Sequence, residues 1–497
     1  MTKLSIYILS IFWLHTVSAQ VRPVTQLSTP SSIEEARQKL VEDPSLKNAS
    51  ISFYVYDVTG KKVIDDYYGD HSLVTASTMK VVTTATALQY MGSYHKFKTK
   101  LAYTGYIDSN CVLHGDIYIE GGGDPTLGSR FFDKKEEDFM LEWVDAIKEL
   151  GILEINGRII GDDSYFSDEF VPSTWGWGDM GNYYGAGVSG LSIYDNTTHF
   201  SFNSGPENND PTEIECYEPY VPGLTIDNRV LAGNTKSDEA YIYGGPYDSY
   251  RLVKGRIPKG ETDFVVKGAT HDPALVAAFE LESKLWQAGV KIKGTATTTR
   301  ALEIIQKTDT TKRVEFLEKS SPSLSSIVYW TNLISNNLFA EHLLMHIGKE
   351  KYHNGSVFSG TAAVEDYWKG KGVDMAGFYM NDGSGLSRAN AISSKQLVEI
   401  LTYMKSSSKY FDTFYSSLPN CGKSGTLSSY GRGTKIYNNL RAKSGTMTRV
   451  KSYAGYVTSA DGKELVFGII VNNFNCTTSQ MGKKLEKLMI SMGDYRE

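Results

Sequence analysis

Ser77-Thr78-Met79-Lys80-Val81-Val82-Thr83-Thr84-Ala85-Thr86-Ala87-Leu88 is the stretch on which the fold turns. From Ser77 onward, Met79, Val81, Val82, Ala85 and Leu88 recur with helical spacing, which predicts a helix running to about Met91. Upstream, Ile51-Ser52-Phe53-Tyr54-Val55-Tyr56-Asp57 alternates like a strand. Thr59-Gly60-Lys61-Lys62 reads as its turn, and a second strand is expected over residues 63–68. The first structural unit is therefore a strand hairpin followed by a helix that opens on Ser77. A serine three residues before a lysine on a helix places both side chains on one face, one turn apart. The amine can take the hydroxyl proton there, and the helix N-terminus favours the negative charge that develops. Ser-x-x-Lys alone is weak evidence, since Ser93 and Ser406 also begin such a spacing. Ser93 follows a glycine at a helix end and Ser406 lies in a polar run, so only Ser77 opens a clean helix after a strand pair.

Beyond this unit the chain changes character. Residues 98–265 are rich in Gly, Tyr and Asp, with short alternating runs at 112–119 and 224–232, and read as a mainly β insertion of two subdomains. Helical patterning returns at 272–288 and again at 324–347. The C-terminal part reads as a strand at 452–458, a turn at Ala460-Asp461-Gly462, a strand at 465–472 and an amphipathic helix at 479–492. The expected organisation is a signal peptide over 1–19, a principal α/β domain built from 24–97 and 266–497, and the insertion over 98–265.

Two further clusters lie in the principal domain. Ser335-Asn336-Asn337 interrupts an otherwise apolar helical region, offering a hydroxyl and an amide to a cleft. Lys443-Ser444-Gly445-Thr446 directly precedes the terminal strand hairpin. An edge strand carrying Lys, a hydroxyl and a Gly can receive an extended peptide as an added strand. The glycine permits close backbone approach, and the lysine and hydroxyl can hold a carboxylate. Rival copies exist for both: Ser201-Phe202-Asn203 for the first, and Lys423-Ser424-Gly425-Thr426, in a segment that reads as loop, for the second. Order decides between them. Ser-x-x-Lys, Ser-x-Asn and Lys-Ser/Thr-Gly, in that succession, form the acyl-transfer set shared by penicillin-binding proteins and β-lactamases.

Beyond the three motifs, the stretches Gly121-Gly122-Gly123-Asp124-Pro125-Thr126-Leu127, Gly161-Asp162-Asp163-Ser164-Tyr165-Phe166, Tyr183-Tyr184-Gly185-Ala186 and Asp382-Gly383-Ser384-Gly385-Leu386-Ser387-Arg388 complete a wider pattern. On these residues the chain resembles the class C low-molecular-mass penicillin-binding proteins, the D-Ala-D-Ala carboxypeptidase/endopeptidases of the type 4 kind, over essentially its whole mature length. Ser444 stands where Thr is commoner, and Asn336 where Asp is frequent. The resemblance implies an α/β (α+β) penicillin-binding, β-lactamase-like transpeptidase domain, an antiparallel sheet flanked by helices, with inserted domains between Lys80 and Ser335. It implies Ser77 as nucleophile and Lys80 as general base, with Ser335 and Asn337 passing a proton to the leaving amine and orienting the peptide. Lys443, Ser444 and Thr446 would anchor the substrate carboxylate, with Gly445 among the substrate-binding residues, and the backbone N–H groups of Ser77 and Thr446 would form the oxyanion hole. A side-chain pocket for diaminopimelate would use Asp179, Leu386 and Arg388, walled by Trp177 and Tyr184, although Gly178 interrupts the usual acidic pair. The implied partners are peptidoglycan stem peptides and β-lactams as covalent inhibitors. The same motifs also serve β-lactamases and non-turnover penicillin sensors. The length and insertion argue against the first, and the lack of a visible signalling span against the second.

The N-terminus fits export to the periplasm. Lys3 supplies a positive charge, residues 4–17 form an apolar run short of the ~20 residues a membrane span needs, and Val17-Ser18-Ala19 gives a small-x-small cleavage pattern. No later run is apolar enough to cross a bilayer. A net charge of −6 argues against a nucleic-acid partner. Cys111, Cys216, Cys421 and Cys476 form no CxxC pair, so a metal cluster is not expected, and their pairing, if any, is open among three arrangements. His342 and His346 have an i, i+4 spacing but lack a Glu directly after the first, so they read as packed or surface histidines and not as metal ligands. No cofactor is implied.

Overall fold

The computed structural model describes residues 31–132, 138–307 and 310–497. The signal segment expected at 1–19 lies outside these residues. At the centre is a five-stranded sheet in the order Arg441–Met447, Val450–Thr458, Glu464–Asn472, Ser50–Asp57 and Lys62–Tyr67, antiparallel throughout. The chain thus brings its last strand against its first. Side chains alternate across a strand, and both faces of this sheet are covered. Phe53 and Val55, with Phe467, Ile469 and Val471, join a core with Met481, Leu485 and Met489 from the terminal helix Thr478–Asp494. Their neighbours Tyr54, Val466 and Ile470 join the opposite core, with Val81, Val82, Ala85 and Leu88 of the Met79–Met91 helix and Phe339, Leu343 and Leu344 of the Asn337–Tyr352 helix. Burial on both faces explains why the strand at 464–472 reads as an unbroken apolar run instead of alternating.

The inserted region closes later than the expected boundary at 265. Its entry strand Lys98–Tyr103 pairs antiparallel with Val314–Ser320, so entry and exit lie side by side. The helix Pro273–Gln287, expected in the principal domain, belongs to the insert. Its Ala274, Ala277, Leu281 and Leu285 pack with Ile117, Trp143, Ile147 and Ile159. An amphipathic pattern announces a helix but not which core it faces, which is why the sequence misplaced this one. The first inserted unit is mixed α/β: a sheet ordered Thr297–Thr298, Ile159–Asp162, Ile117–Glu120, Lys98–Tyr103 and Val314–Ser320, with helices Asp138–Glu149 and Pro273–Gln287. Nested within it is an all-β unit of two three-stranded sheets around Phe200, Phe202, Val230, Ile242, Val253 and Val266. All four cysteines are unpaired thiols.

Candidate active site

Three segments far apart in sequence meet at the edge of the central sheet. Ser77 sits in the 3-10 turn Ala76–Thr78 that leads into the Met79–Met91 helix. Ala76 before it has φ +50°, a left-handed conformation that non-glycine residues adopt at a cost and that neighbouring structure must hold in place. Two glycines do this holding. A Cβ on Gly445 would lie 2.2 Å from the Thr75 carbonyl oxygen, and one on Gly385, itself at φ +82°, 1.9 Å from that of Ala76. The edge strand and the 382–388 loop therefore clamp the turn by direct backbone contact. Ser452 Oγ also donates to the Thr75 carbonyl at 2.5 Å.

Lys80, fully buried one helical turn after Ser77, donates to Ser77 Oγ at 3.2 Å, to Asn337 Oδ1 at 2.6 Å and to the Ser384 carbonyl at 2.6 Å. Burial lowers its pKa to about 7, against the opposing pull of the Asp382 and Glu341 charges. A lysine so placed is available as a base near neutral pH.

The helical region expected at 324–347 is two helices, Leu324–Leu333 and Asn337–Tyr352. Ser335 takes φ +63° at the break, and Asn336 caps the second helix by accepting from Phe339 N at 3.1 Å. This break turns Ser335 and Asn337 toward the site. Ser335 Oγ accepts from Lys443 Nζ at 2.9 Å, and Asn337 Nδ2 donates to the Tyr184 carbonyl at 2.8 Å. Lys443 also donates to the Ser444 carbonyl at 2.7 Å, and burial together with the nearby ammoniums of Lys80 and Lys451 holds its pKa well below the usual lysine range. Ser444 and Thr446 share the other face of the same strand, where Ser444 Oγ donates to Thr426 Oγ1 at 2.7 Å. Two hydrogen-bonded groups thus lie side by side, Lys80 with Ser77 and Asn337, and Lys443 with Ser335, close enough for the Lys80 charge to act on Lys443.

The residues expected to line a side-chain pocket are less tightly knit. Asp179 lies in the short helix Trp177–Met180 and accepts from the Tyr184 hydroxyl at 3.2 Å, while the Tyr184 carbonyl meets Asn337. Leu386 follows Gly385 against the turn that carries Ser77, and Arg388 is exposed further along that loop. Trp177 packs on Tyr243, 4.8 Å between ring centroids. The structure joins Asp179 to Tyr184 and gives Arg388 no ion pair among the described residues.

These sequence and geometric features coincide with a match over residues 33–493 to the D-Ala-D-Ala carboxypeptidase 3 (S13) family. The chain belongs to this family. It is accordingly a serine-type D-Ala-D-Ala carboxypeptidase. A D-alanyl-D-alanine carboxypeptidase of Actinomadura sp. (strain R39) is 29% identical over 456 residues, 89% of this chain and 81% of its own. Penicillin binding protein 4 of Haemophilus influenzae superposes with a TM-score of 0.77 at 22% identity, covering 92% of this chain and 97% of that one. A second structure of that protein, in complex with a β-lactam, gives a TM-score of 0.74 at 20% identity, with 92% and 98% covered. The shared fold is the penicillin-binding α/β architecture.

Several residues that support the candidate site have no signal in the sequence that singles them out. Glu341 is buried on the Asn337–Tyr352 helix and accepts from Gly383 N at 2.9 Å and Ser384 N at 2.7 Å. Burial, then the Asp382 charge, raises its pKa. Asp382 accepts from Gly385 N at 2.7 Å, Trp175 Nε1 at 2.8 Å and Asn390 Nδ2 at 2.6 Å, folding the loop that presses on Ala76. Asp382 lay in a stretch that carried the resemblance, but Glu341 in a helix has no sequence signal of its own. His342 and His346 are buried packing residues: His342 meets Ser192 Oγ at 2.9 Å and His346 the Gly123 carbonyl at 2.9 Å. No cluster of three or more metal-ligating side chains occurs among the described residues. A cavity of about 390 Å³ in the insert, lined by Arg130, His199, Tyr217 and Glu280, shares no residue with this site.

Proposed function

We propose that this chain is an exported DD-peptidase of peptidoglycan that works through an acyl-enzyme on Ser77, releasing terminal D-alanine and cleaving D-Ala-diaminopimelate cross-links. The observation that carries the reading is the meeting of two hydrogen-bonded groups from three distant segments, Lys80 with Ser77 and Asn337, and Lys443 with Ser335. Ser77 Oγ attacks the carbonyl carbon between the two D-alanines and passes its proton to the neutral amine of Lys80. The oxyanion is held by the N–H groups of Ser77 and Thr446. The C–N bond then breaks, and the leaving amine takes a proton from Ser335 Oγ, which Lys443 replenishes. Water attacks the ester by the reverse path and frees Ser77. Asn337 orients the peptide, and Ser444, Gly445 and Thr446 take its C-terminal end as an added strand with the carboxylate at the two hydroxyls. β-Lactams acylate the same serine, in keeping with the β-lactam complex of the related fold.

Mass spectrometry after incubation with penicillin, and separately with a diaminopimelyl pentapeptide, tests this. The expected result is a penicilloyl adduct on the peptide containing Ser77, release of D-alanine, and loss of both in Ser77→Ala. Labelling that persists in Ser77→Ala would remove the nucleophile assignment.

Asp179, with Leu386 and Arg388, is the proposed reader of the diaminopimelyl side chain. Its support is the Asp179–Tyr184–Asn337 chain of contacts. Asp179→Ala is expected to lose most of the preference for diaminopimelyl over lysyl peptides in kcat/KM, and an unchanged preference would refute the pocket.

A further inference from the structure

We infer that Lys451 is a positioning residue for the terminal carboxylate of the peptide, and so the origin of a preference for a free carboxylate over an uncharged end. This rests on the reading of the site given above and names a group that the acyl-transfer motifs do not include.

Lys451 lies directly across from Thr446 on the neighbouring strand, and the two share a face with Ser444. Its Nζ donates to Thr446 Oγ1 at 2.6 Å. Only 9% of the residue is exposed, and among the described residues no carboxylate pairs with it. Its other close neighbour is the Tyr453 ring, with Nζ 5.3 Å from the centroid, and the Tyr453 hydroxyl is engaged with Tyr430 at 2.9 Å. Of the other buried lysines at the site, Lys80 has Glu341 and Asp382 beside it, whereas Lys443 is flanked by the ammoniums of Lys80 and Lys451 and is engaged with Ser335. Lys451 likewise has no carboxylate beside it among the described residues, and a buried ammonium without an anion is costly.

The direction of the hydrogen bond shows what the charge is aimed at. An ammonium only donates, so Thr446 Oγ1 must accept from it, which leaves the threonine's own hydrogen to point elsewhere. Thr446 is exposed at the strand edge, two residues from Ser444. Its hydrogen is thereby available to a carboxylate lying over the two hydroxyls, with the positive charge of Lys451 directly behind. Burial lowers the Lys451 pKa to about 8, which leaves the amine largely charged at neutral pH.

The test compares two diaminopimelyl pentapeptides, one ending in D-Ala-D-Ala and the other in D-alaninamide, on the full chain and on Lys451→Met, Lys451→Gln and Lys451→Arg. The wild-type chain is expected to favour the free acid. In Lys451→Met the ratio of kcat/KM values, acid over amide, should fall roughly tenfold to hundredfold, mainly through KM. Lys451→Arg should restore most of it. An unchanged ratio, or an equal loss on both peptides, would overturn the inference, because a purely structural lysine lowers both alike. Should Lys451→Met fail to fold, Lys451→Gln against Lys451→Arg gives the same comparison. A wild-type chain that turns over both peptides without preference refutes Lys451 alone; one that neither releases D-alanine nor is acylated refutes the parent reading as well.

Discussion

Lys80 illustrates how burial sets chemistry at a single residue. The residue is fully buried, and its three hydrogen bonds go to Ser77, Asn337 and Ser384. In the mechanism we propose, the neutral amine accepts the Ser77 proton, and a lowered pKa puts that form within reach near pH 7. Acylation of Ser77 by penicillin should therefore rise with pH through about 7 and level off above it, as stopped-flow fluorescence can follow. A rise continuing toward pH 10, where a solvent-exposed lysine titrates, would remove Lys80 as the base. The pairing of Ser77 with Lys80 was legible in sequence because helical spacing fixes which side chains share a face. Glu341 and Lys451 were not legible. A glutamate on a helix and a lysine on a strand ordinarily lie at the surface, and only packing against the 382–388 loop and the edge strand buries them.

At the scale of elements, the site depends on the edge strand Arg441–Met447 lying against the turn that carries Ser77. Gly445 permits this, since any Cβ there would collide with the Thr75 carbonyl oxygen. Gly445→Ala is expected to push the strand outward and to slow penicillin acylation at least about a hundredfold, the scale of a 1 Å misplacement. Thermal melting of the same variant separates this from global unfolding, and near wild-type acylation would mean that the strand relaxes without harm. The two Lys-Ser-Gly-Thr copies also separate at this scale. The copy at 443–446 is a strand, while that at 423–426 forms a turn and the start of a 3-10 helix whose Thr426 accepts from Ser444. The rejected copy is therefore part of the site's wall, which motif order alone did not reveal.

Across the whole molecule, the insert is more than an appendage. It reaches the helix Asn337–Tyr352 at the candidate site through Tyr184 at Asn337, through Ser189 and Ser192 at His342, and through Gly123 at His346. Burial depresses the two histidines' pKa values to about 4 and about 3. The unfolded chain takes up these protons below its ordinary histidine value of ~6.5, whereas the folded chain does not, so this contribution to stability is lost as pH falls below about 6.5. At pH 5 the loss is of the order of 2 kcal/mol per histidine. His346→Gln, which keeps a donor for Gly123, should show a smaller drop in melting temperature between pH 7 and pH 5 than the wild type. An equal drop would show that His346 takes no part in the acid response.

Sequence alone determined the principal fold class, the family and the succession of the three motifs, because these depend on local spacing and on residue chemistry. It also fixed the terminal strand hairpin and the helix after it, where short-range patterning suffices. The closure of the insert at Ser320 and the membership of the Pro273–Gln287 helix came only from the tertiary structure, as did the break that turns Ser335 and Asn337 inward. Each depends on which distant surface an element is pressed against, and an amphipathic pattern records that a face is buried without recording its partner.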